Sequence, residues 1–248
     1  MSTEVPLLTL DSVSKSFGGV QALDSVNLVV RRHEVVALVG DNAAGKSTIA
    51  RMVAGVYGPT SGRILLDGEP AEIPSTQAAH LLGIANVFQE LALCDNLDVT
   101  ANIFLGRELR SGRLLDDDRM DQLAREYLDR LNSRIPDVHT PLYQLSAGQR
   151  QCVAIARTLV ADPRLVILDE PTASLSVTQT AEVLTHIERL RDLGMGVIFI
   201  SHNLTDVRAV ADRIEVLRHG RNNGSFDARE ASYEEVIAAM TGATRIQL

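Results

Sequence analysis

A chain of 248 residues that is 45% hydrophobic and 23% charged has a globular rather than a disordered composition, with room for one large domain or two small ones. Its formal net charge of −8 argues against general attraction to nucleic acid or anionic lipid, and no apolar run approaches the length of a membrane-spanning helix. Cys94 and Cys152 belong to no C-x-x-C or Cys/His cluster, which argues against a disulfide framework or a zinc site. Met1 to Pro6 lacks the basic and apolar regions of a signal peptide, so the chain is expected in the cytosol.

In chain order, Leu7 to Val13 and Val26 to Val30 have β-type composition and flank the turn Gly18-Gly19, which predicts an antiparallel β region. Val35 to Val39 is wholly apolar, as a strand buried on both faces must be. Gly40-Asp41-Asn42-Ala43-Ala44-Gly45-Lys46-Ser47 follows, and Ser47 to Val53 continues as a helix. Arg63 to Leu66, ending at Asp67-Gly68, adds to the antiparallel region. Ile84 to Phe88, Leu165 to Leu168 and Val197 to Ile200 are further buried-strand candidates separated by helical patterns, which predicts a parallel sheet with covering helices. Met120, Leu123, Ala124, Tyr127, Leu128 and Leu131 mark an amphipathic helix whose acidic start, Asp116-Asp117-Asp118, suits a helix N-terminus rather than a metal cluster. Val183, Leu184, Ile187 and Leu190 mark another helix, ending near Gly194 and Gly196, and Tyr233, Val236, Ile237 and Met240 mark the last. With no internal repeat and no Pro/Gly/Ser-rich linker, residues 1–248 read as one composite domain.

Two motifs carry chemistry. The pattern G-x-x-x-x-G-K-[ST] lets successive backbone N–H groups curl around phosphate oxygens while the following helix aims its positive end at the anion. Lys46 is then expected to reach the β and γ phosphates and Ser47 to ligate Mg²⁺. Leu165 to Leu168 delivers Asp169 and Glu170 at a strand end, where one carboxylate can help hold Mg²⁺ and the other can orient or deprotonate water. An isolated acidic pair would be an ordinary polar turn; beside a phosphate loop it is read as chemistry.

With Leu145-Ser146-Ala147-Gly148-Gln149 about twenty residues before Asp169, the chain resembles the ATPase subunit of ATP-binding-cassette (ABC) transporters over nearly its whole length. The resemblance implies an α/β fold: a P-loop NTPase core with a mainly parallel sheet, an antiparallel β subdomain and an inserted helical subdomain over about 89–144. It also implies roles for matching residues. Phe17 corresponds to the aromatic that stacks on adenine, and residues Gly40 to Thr48 hold ATP. Gln89 is the Q-loop glutamine, joining Ser47 and Asp169 around Mg²⁺ and linking to the partner protein. Glu170 is the general base, His202 the γ-phosphate contact, Ala173-Ser174-Leu175 the D-loop, and Ser146 to Gln149 the signature that faces the ATP of a second subunit.

Ala43 and Ala147 stand where the family usually has glycine. A methyl group at Ala43 is costly if that position needs positive φ; at Ala147 it is tolerable because Gly148 remains. Lys15 to Leu23, Ala101 to Glu108 and Met240-Thr241-Gly242 resemble the bacterial monosaccharide-importer branch. That likeness implies a homodimer serving a separate multi-span membrane permease, fed indirectly by a sugar-binding protein, with no nucleic-acid partner. The location implied is cytoplasmic, peripheral on the inner face of the membrane, and the chain is short for an added C-terminal regulatory domain. Alternatives are a soluble ABC-type ATPase acting outside transport, or a nucleotide-sensing module with weak hydrolysis.

Overall fold

The computed structural model describes residues 5–243, so Met1 to Glu4, read above as part of a leaderless start, fall outside it. β1 (Leu8–Phe17) and β2 (Val20–Val30) form the expected hairpin around Gly18-Gly19, both longer than their apolar cores suggested. The five residues of β3 (Val35–Val39) are all buried. α1 (Lys46–Val53) starts directly from the phosphate-loop sequence, and β4 (Ser61–Leu66) with β5 (Glu69–Pro70) completes an antiparallel sheet in the order β2-β1-β4-β5. The Ser75 hydroxyl caps α2 (Thr76–Leu81), which leads into β6 (Ile84–Val87).

The segment 89–144 contains α3 (Val99–Phe104), a small hairpin of β7 (Arg110–Ser111) and β8 (Leu114–Leu115), α4 (Asp117–Arg130) and a 3₁₀ turn at Leu142–Gln144. The acidic run begins α4 as predicted: the Asp116 carboxylate accepts from the Arg119 N–H, and Asp117 and Asp118 occupy the first turn. Then follow α5 (Ala147–Leu159), β9 (Leu165–Asp169), α6 (Val177–Asp192), β10 (Gly196–Ile200), α7 (Leu204–Val210), β11 (Arg213–Arg218), β12 (Arg221–Asp227) and α8 (Tyr233–Thr241).

The second sheet has the order β12-β11-β3-β10-β9-β6, parallel except for β12 at its edge. Alternation along its apolar strands feeds two cores. Val35, Ala37, Val166, Leu168, Val197 and Phe199 face α4, α5 and α6, whereas Val36, Leu38, Ile167, Ile198 and Ile200 face α1 and the antiparallel sheet. A strand that must satisfy both cores has no polar face, which explains its continuous hydrophobicity. Register then places function: Leu38 pairs with Ile200, Ile200 with Asp169, and Leu168 with Val87. The carboxyl ends of β3, β10, β9 and β6 therefore lie side by side, delivering Gly40, His202, Glu170 and Gln89 to one edge, where open α/β sheets bind ligands.

Candidate nucleotide site

At that edge one cavity of about 570 Å³ is lined by Phe17, Asn42 to Thr48, Gln89, Glu170, Ala173 and His202. An adjoining opening, sharing Asn42 and His202, adds Gly40, Asp41 and Met240. The backbone of the loop is forced into shape. Gly40 has φ +147°, and a Cβ there would lie 2.2 Å from the Leu217 carbonyl oxygen; Gly45 has φ +105° and closes against Leu23. Ala43 has φ +65°, the left-handed conformation that made an alanine costly there. The turn after β11 braces the loop, as the Gly220 N–H donates to the Ala44 carbonyl (3.1 Å) and its own carbonyl accepts from the Asp24 N–H (2.8 Å).

Lys46 is buried, and its ammonium donates to the carbonyl oxygens of Gly40 (2.6 Å) and Asp41 (3.0 Å). Burial lowers its pKa while the negative charges of Glu170, Asp169 and Asp41 oppose that shift. It is a cation held inside the loop among acids, aimed where a polyphosphate would compete for it. Asp169 is buried and its Oδ1 has no hydrogen-bond partner. Burial raises its pKa, whereas the neighbouring Ser47 hydroxyl pulls it down. An orphaned carboxylate oxygen beside a hydroxyl is a donor set suited to Mg²⁺, which takes few protein ligands and completes its shell with phosphate and water. Among the described residues no group of three or more His, Cys, Asp or Glu side chains could hold a metal ion.

Glu170 has φ +53°, and its Oε2 lies 2.8 Å from His202 Nδ1. With the carboxylate as acceptor the imidazole carries its proton on Nδ1, leaving Nε2 uncommitted. Phe17 is 46% exposed, large for an aromatic, and Tyr57 supports it edge-on at 5.0 Å between centroids. The Lys15 ammonium sits 5.2 Å from the Phe17 centroid and 4.9 Å from that of Tyr57. These contacts hold the ring at the wall of the cavity.

Not every sequence-predicted residue reaches this cavity. In the D-loop only Ala173 lines it; Ser174 turns the chain at φ +64° and Leu175 packs against the core. Ser146, Ala147, Gly148 and Gln149 begin α5 elsewhere. There the Ser146 hydroxyl accepts from the Gln149 N–H (3.2 Å) and the Gln149 side chain accepts from the Ser146 N–H (2.9 Å), a reciprocal cap. Ala147 is helical and exposed, so the missing glycine carries no strain, while Gly148 is buried where a Cβ would meet Gln179 at 3.0 Å. Cys152, one turn further, is buried and its thiol is pushed up to about 11, so it is an inert core residue. Sequence reasoning missed Tyr57 and the bracing Gly220, and read Met240 only as part of the last helix and of the importer-like Met240-Thr241-Gly242, not as a residue beside the site; Tyr57 carried no motif, and the glycine of a His-Gly pair at 219–220 signals a turn but not its target.

Comparison with known proteins bears on the whole assembly. The chain is 40% identical over 235 residues to the xylose/arabinose import ATP-binding protein XylG of Sulfolobus acidocaldarius, covering 95% of this chain and 94% of the relative. It is 36% identical over 248 residues to the fructose import ATP-binding protein FruK of Bifidobacterium longum, covering 100% of this chain and 48% of the relative. Thus it spans nearly all of one relative but only about half the length of many others it matches. Among solved structures, a dimeric ATP-binding cassette in a post-hydrolysis state bound to ADP and Pi superposes with a TM-score of 0.74 at 25% identity, covering 90% of this chain and 100% of that one. Residues 23–173 match the family model described as ABC transporter, and the chain belongs to that family.

Proposed function

We propose that the chain is the ATP-hydrolysing subunit that powers an importer for a monosaccharide. The observation that carries this reading is the convergence of Lys46, Ser47, Glu170 and His202 with the unpartnered Oδ1 of Asp169 at one strand edge. Gly40 to Thr48 wrap the phosphates, Lys46 neutralises them, and Phe17 stacks on the base. Ser47, Asp169 and Gln89 hold Mg²⁺, which when bound screens the phosphate charges and favours in-line displacement. Glu170 takes the proton of the attacking water, and His202, oriented through Nδ1 by Glu170, presents Nε2 to the γ-phosphate.

The cassette works as a homodimer. Ser146 to Gln149 lie outside the cavity of their own chain, so their proposed phosphate contact requires a second copy placed head to tail. The Ser146 hydroxyl, used as a cap acceptor, still has its proton to donate. The solved dimeric cassette with ADP and Pi supports this arrangement. The segment 89–144 is the inserted helical subdomain and carries the surface for a multi-span permease. A neighbouring cleft, lined in part by His80, Glu90, Arg107 and Arg157, offers charged side chains for such a contact. No helix among the described residues is long and apolar enough to cross a membrane, so such a subunit is held on the inner face through the permease.

The relatives' names specify xylose/arabinose and fructose import, supporting a monosaccharide without choosing between pentose and hexose. Steady-state phosphate release by the purified chain, together with its isolation from native membranes in mild detergent, tests the reading. ATP turnover and a stoichiometric permease are expected; turnover with recovery only alongside ribosomes or DNA would replace the importer with a non-transport ATPase.

A further inference from the structure

The segments carrying Glu170 and His202 meet in the cavity, and they are also tied together behind it. Asp206, in the first turn of α7, is only 6% exposed, yet both its oxygens are used. The Thr172 hydroxyl donates to Oδ2 at 2.8 Å, and the Asn203 side-chain amide donates to Oδ1 at 3.0 Å. Thr172 is itself 8% exposed and lies two residues after Glu170; Asn203 directly follows His202. A main-chain bond from the Glu170 N–H to the Ile200 carbonyl (3.0 Å) runs alongside, and Ser201 Oγ accepts from the Asn203 N–H (3.0 Å).

An acid in a helix's first turn ordinarily supports its own N-terminus, and the Asn203 contact alone would be no more than that. The Thr172 bond is different, because it spans 34 residues of sequence and joins two loops. Burying a carboxylate is costly unless its oxygens are satisfied, and here neutral donors from both loops satisfy them. Glu170 meanwhile holds φ +53°, a conformation that persists only where surrounding contacts enforce it.

We infer that Asp206 is a positioning residue: with Thr172 and Asn203 it clasps the two loops so that the Glu170 carboxylate and the His202 ring keep their mutual geometry through the hydrolytic step. Asp206 does not line the cavity, and its two hydrogen bonds go to Thr172 and Asn203 rather than to the phosphate loop. The clasp rests on the reading of Glu170 as the base, and loosening it acts on turnover rather than on nucleotide capture. A reacting group displaced by about 1 Å can lose about 100-fold in rate, so a loosened clasp is set at about tenfold.

The test is steady-state phosphate release by the full chain, resolved into kcat and KM for ATP. Asp206→Ala and Thr172→Val are expected to lower kcat about tenfold with KM changed less than about twofold. Asp206→Asn and Thr172→Ser keep hydrogen-bonding groups at both positions and are expected to restore kcat to within about twofold of the native chain. On a Glu170→Gln background, Asp206→Ala is expected to add no further loss, because both changes act on the same step. Native kcat for Asp206→Ala, equal kcat for Thr172→Val and Thr172→Ser, or a full additional loss on the Glu170→Gln background would each overturn the clasp. Should Asp206→Ala fail to fold, the Thr172 pair decides alone. Undiminished turnover by Glu170→Gln by itself is a separate result: it removes Glu170 as the base and the clasp with it.

Discussion

The phosphate loop and the start of α5 are both glycine-containing approaches to a helix, yet they are built in opposite ways. The loop carries backbone strain at Ala43, needs at Gly40 and Gly45 positive φ values that glycine adopts freely, buries a lysine among acids and leaves Asp169 Oδ1 without a partner. At α5, Ser146 and Gln149 satisfy each other and Ala147 is in relaxed helical geometry. A buried polar group left unsatisfied beside a cavity is free to take an ion or ligand as its partner. A satisfied, exposed helix start is complete within its own chain and acquires a role only against another surface. In the proposed function the first binds nucleotide within one chain and the second acts on the nucleotide of a second copy.

The largest effect should come from the strained side. Glu170→Gln removes the proposed base while keeping the size of the side chain, so kcat should fall about 100-fold or more with nucleotide binding and ATP-driven pairing retained. Phosphate release measured beside equilibrium binding checks this, and undiminished turnover would remove the assignment.

Asp169→Asn should separate function from stability. Burial raises the pKa of Asp169 above its unfolded value, so the favourable contribution is fully present below the unfolded pKa of 3.8 and is lost as pH rises through the higher folded value. At neutral pH the ionised carboxylate is therefore a burden on the fold. The asparagine form should melt higher at pH 7, by about 2–4 °C for each kcal/mol released, while Mg²⁺-dependent turnover collapses. The gain should shrink as pH falls through the raised folded pKa and vanish below the unfolded value of 3.8. An unchanged or lower melting point at pH 7 would show that Asp169 is not strained by its burial.

The α5 side is probed by a substitution that keeps the cap and spoils the phosphate contact. Aspartate caps helices as well as serine does, so Ser146→Asp should leave the unfolding free energy within about 0.5 kcal/mol of the native value. Its charge faces the γ-phosphate across the proposed dimer, and ATP-dependent association should weaken by about tenfold. Sedimentation of the chain with ATP on a Glu170→Gln background reads this directly. Native association would place the signature away from the partner's nucleotide.

How much of this was legible in the sequence depends on length and on range. β3, β9 and β10 were readable because burial on both faces leaves no polar position in them, and α4 and α6 because they extend over several turns. α2, α3 and α7 have six or seven residues, too few for a helical period to show. β12, Arg-Asn-Asn-Gly-Ser-Phe-Asp, is an edge strand with almost no apolar pattern and is held by its pairing with β11. At the site, the loop, Asp169, Glu170 and His202 were announced by motifs. The Glu170–His202 contact, the edge-on Tyr57 and the Gly220 brace are long-range pairings that local composition does not encode.

The smallest effect concerns Ala43, whose φ of +65° turns an expectation about strain into a measurable balance. A left-handed alanine costs about 1–2 kcal/mol, and replacing it with glycine costs about 0.5–1 kcal/mol in chain entropy. Ala43→Gly should therefore stabilise the fold by no more than about 1.5 kcal/mol, visible in a denaturant melt. The nucleotide affinity tells where the strain is felt. Because the loop already holds Ala43 left-handed in the folded chain, the methyl group weighs on folding rather than on binding, and the two proteins should bind ATP equally. A tighter glycine variant would mean that the loop must move further into the strained region to close around the phosphates, making position 43 a determinant of affinity.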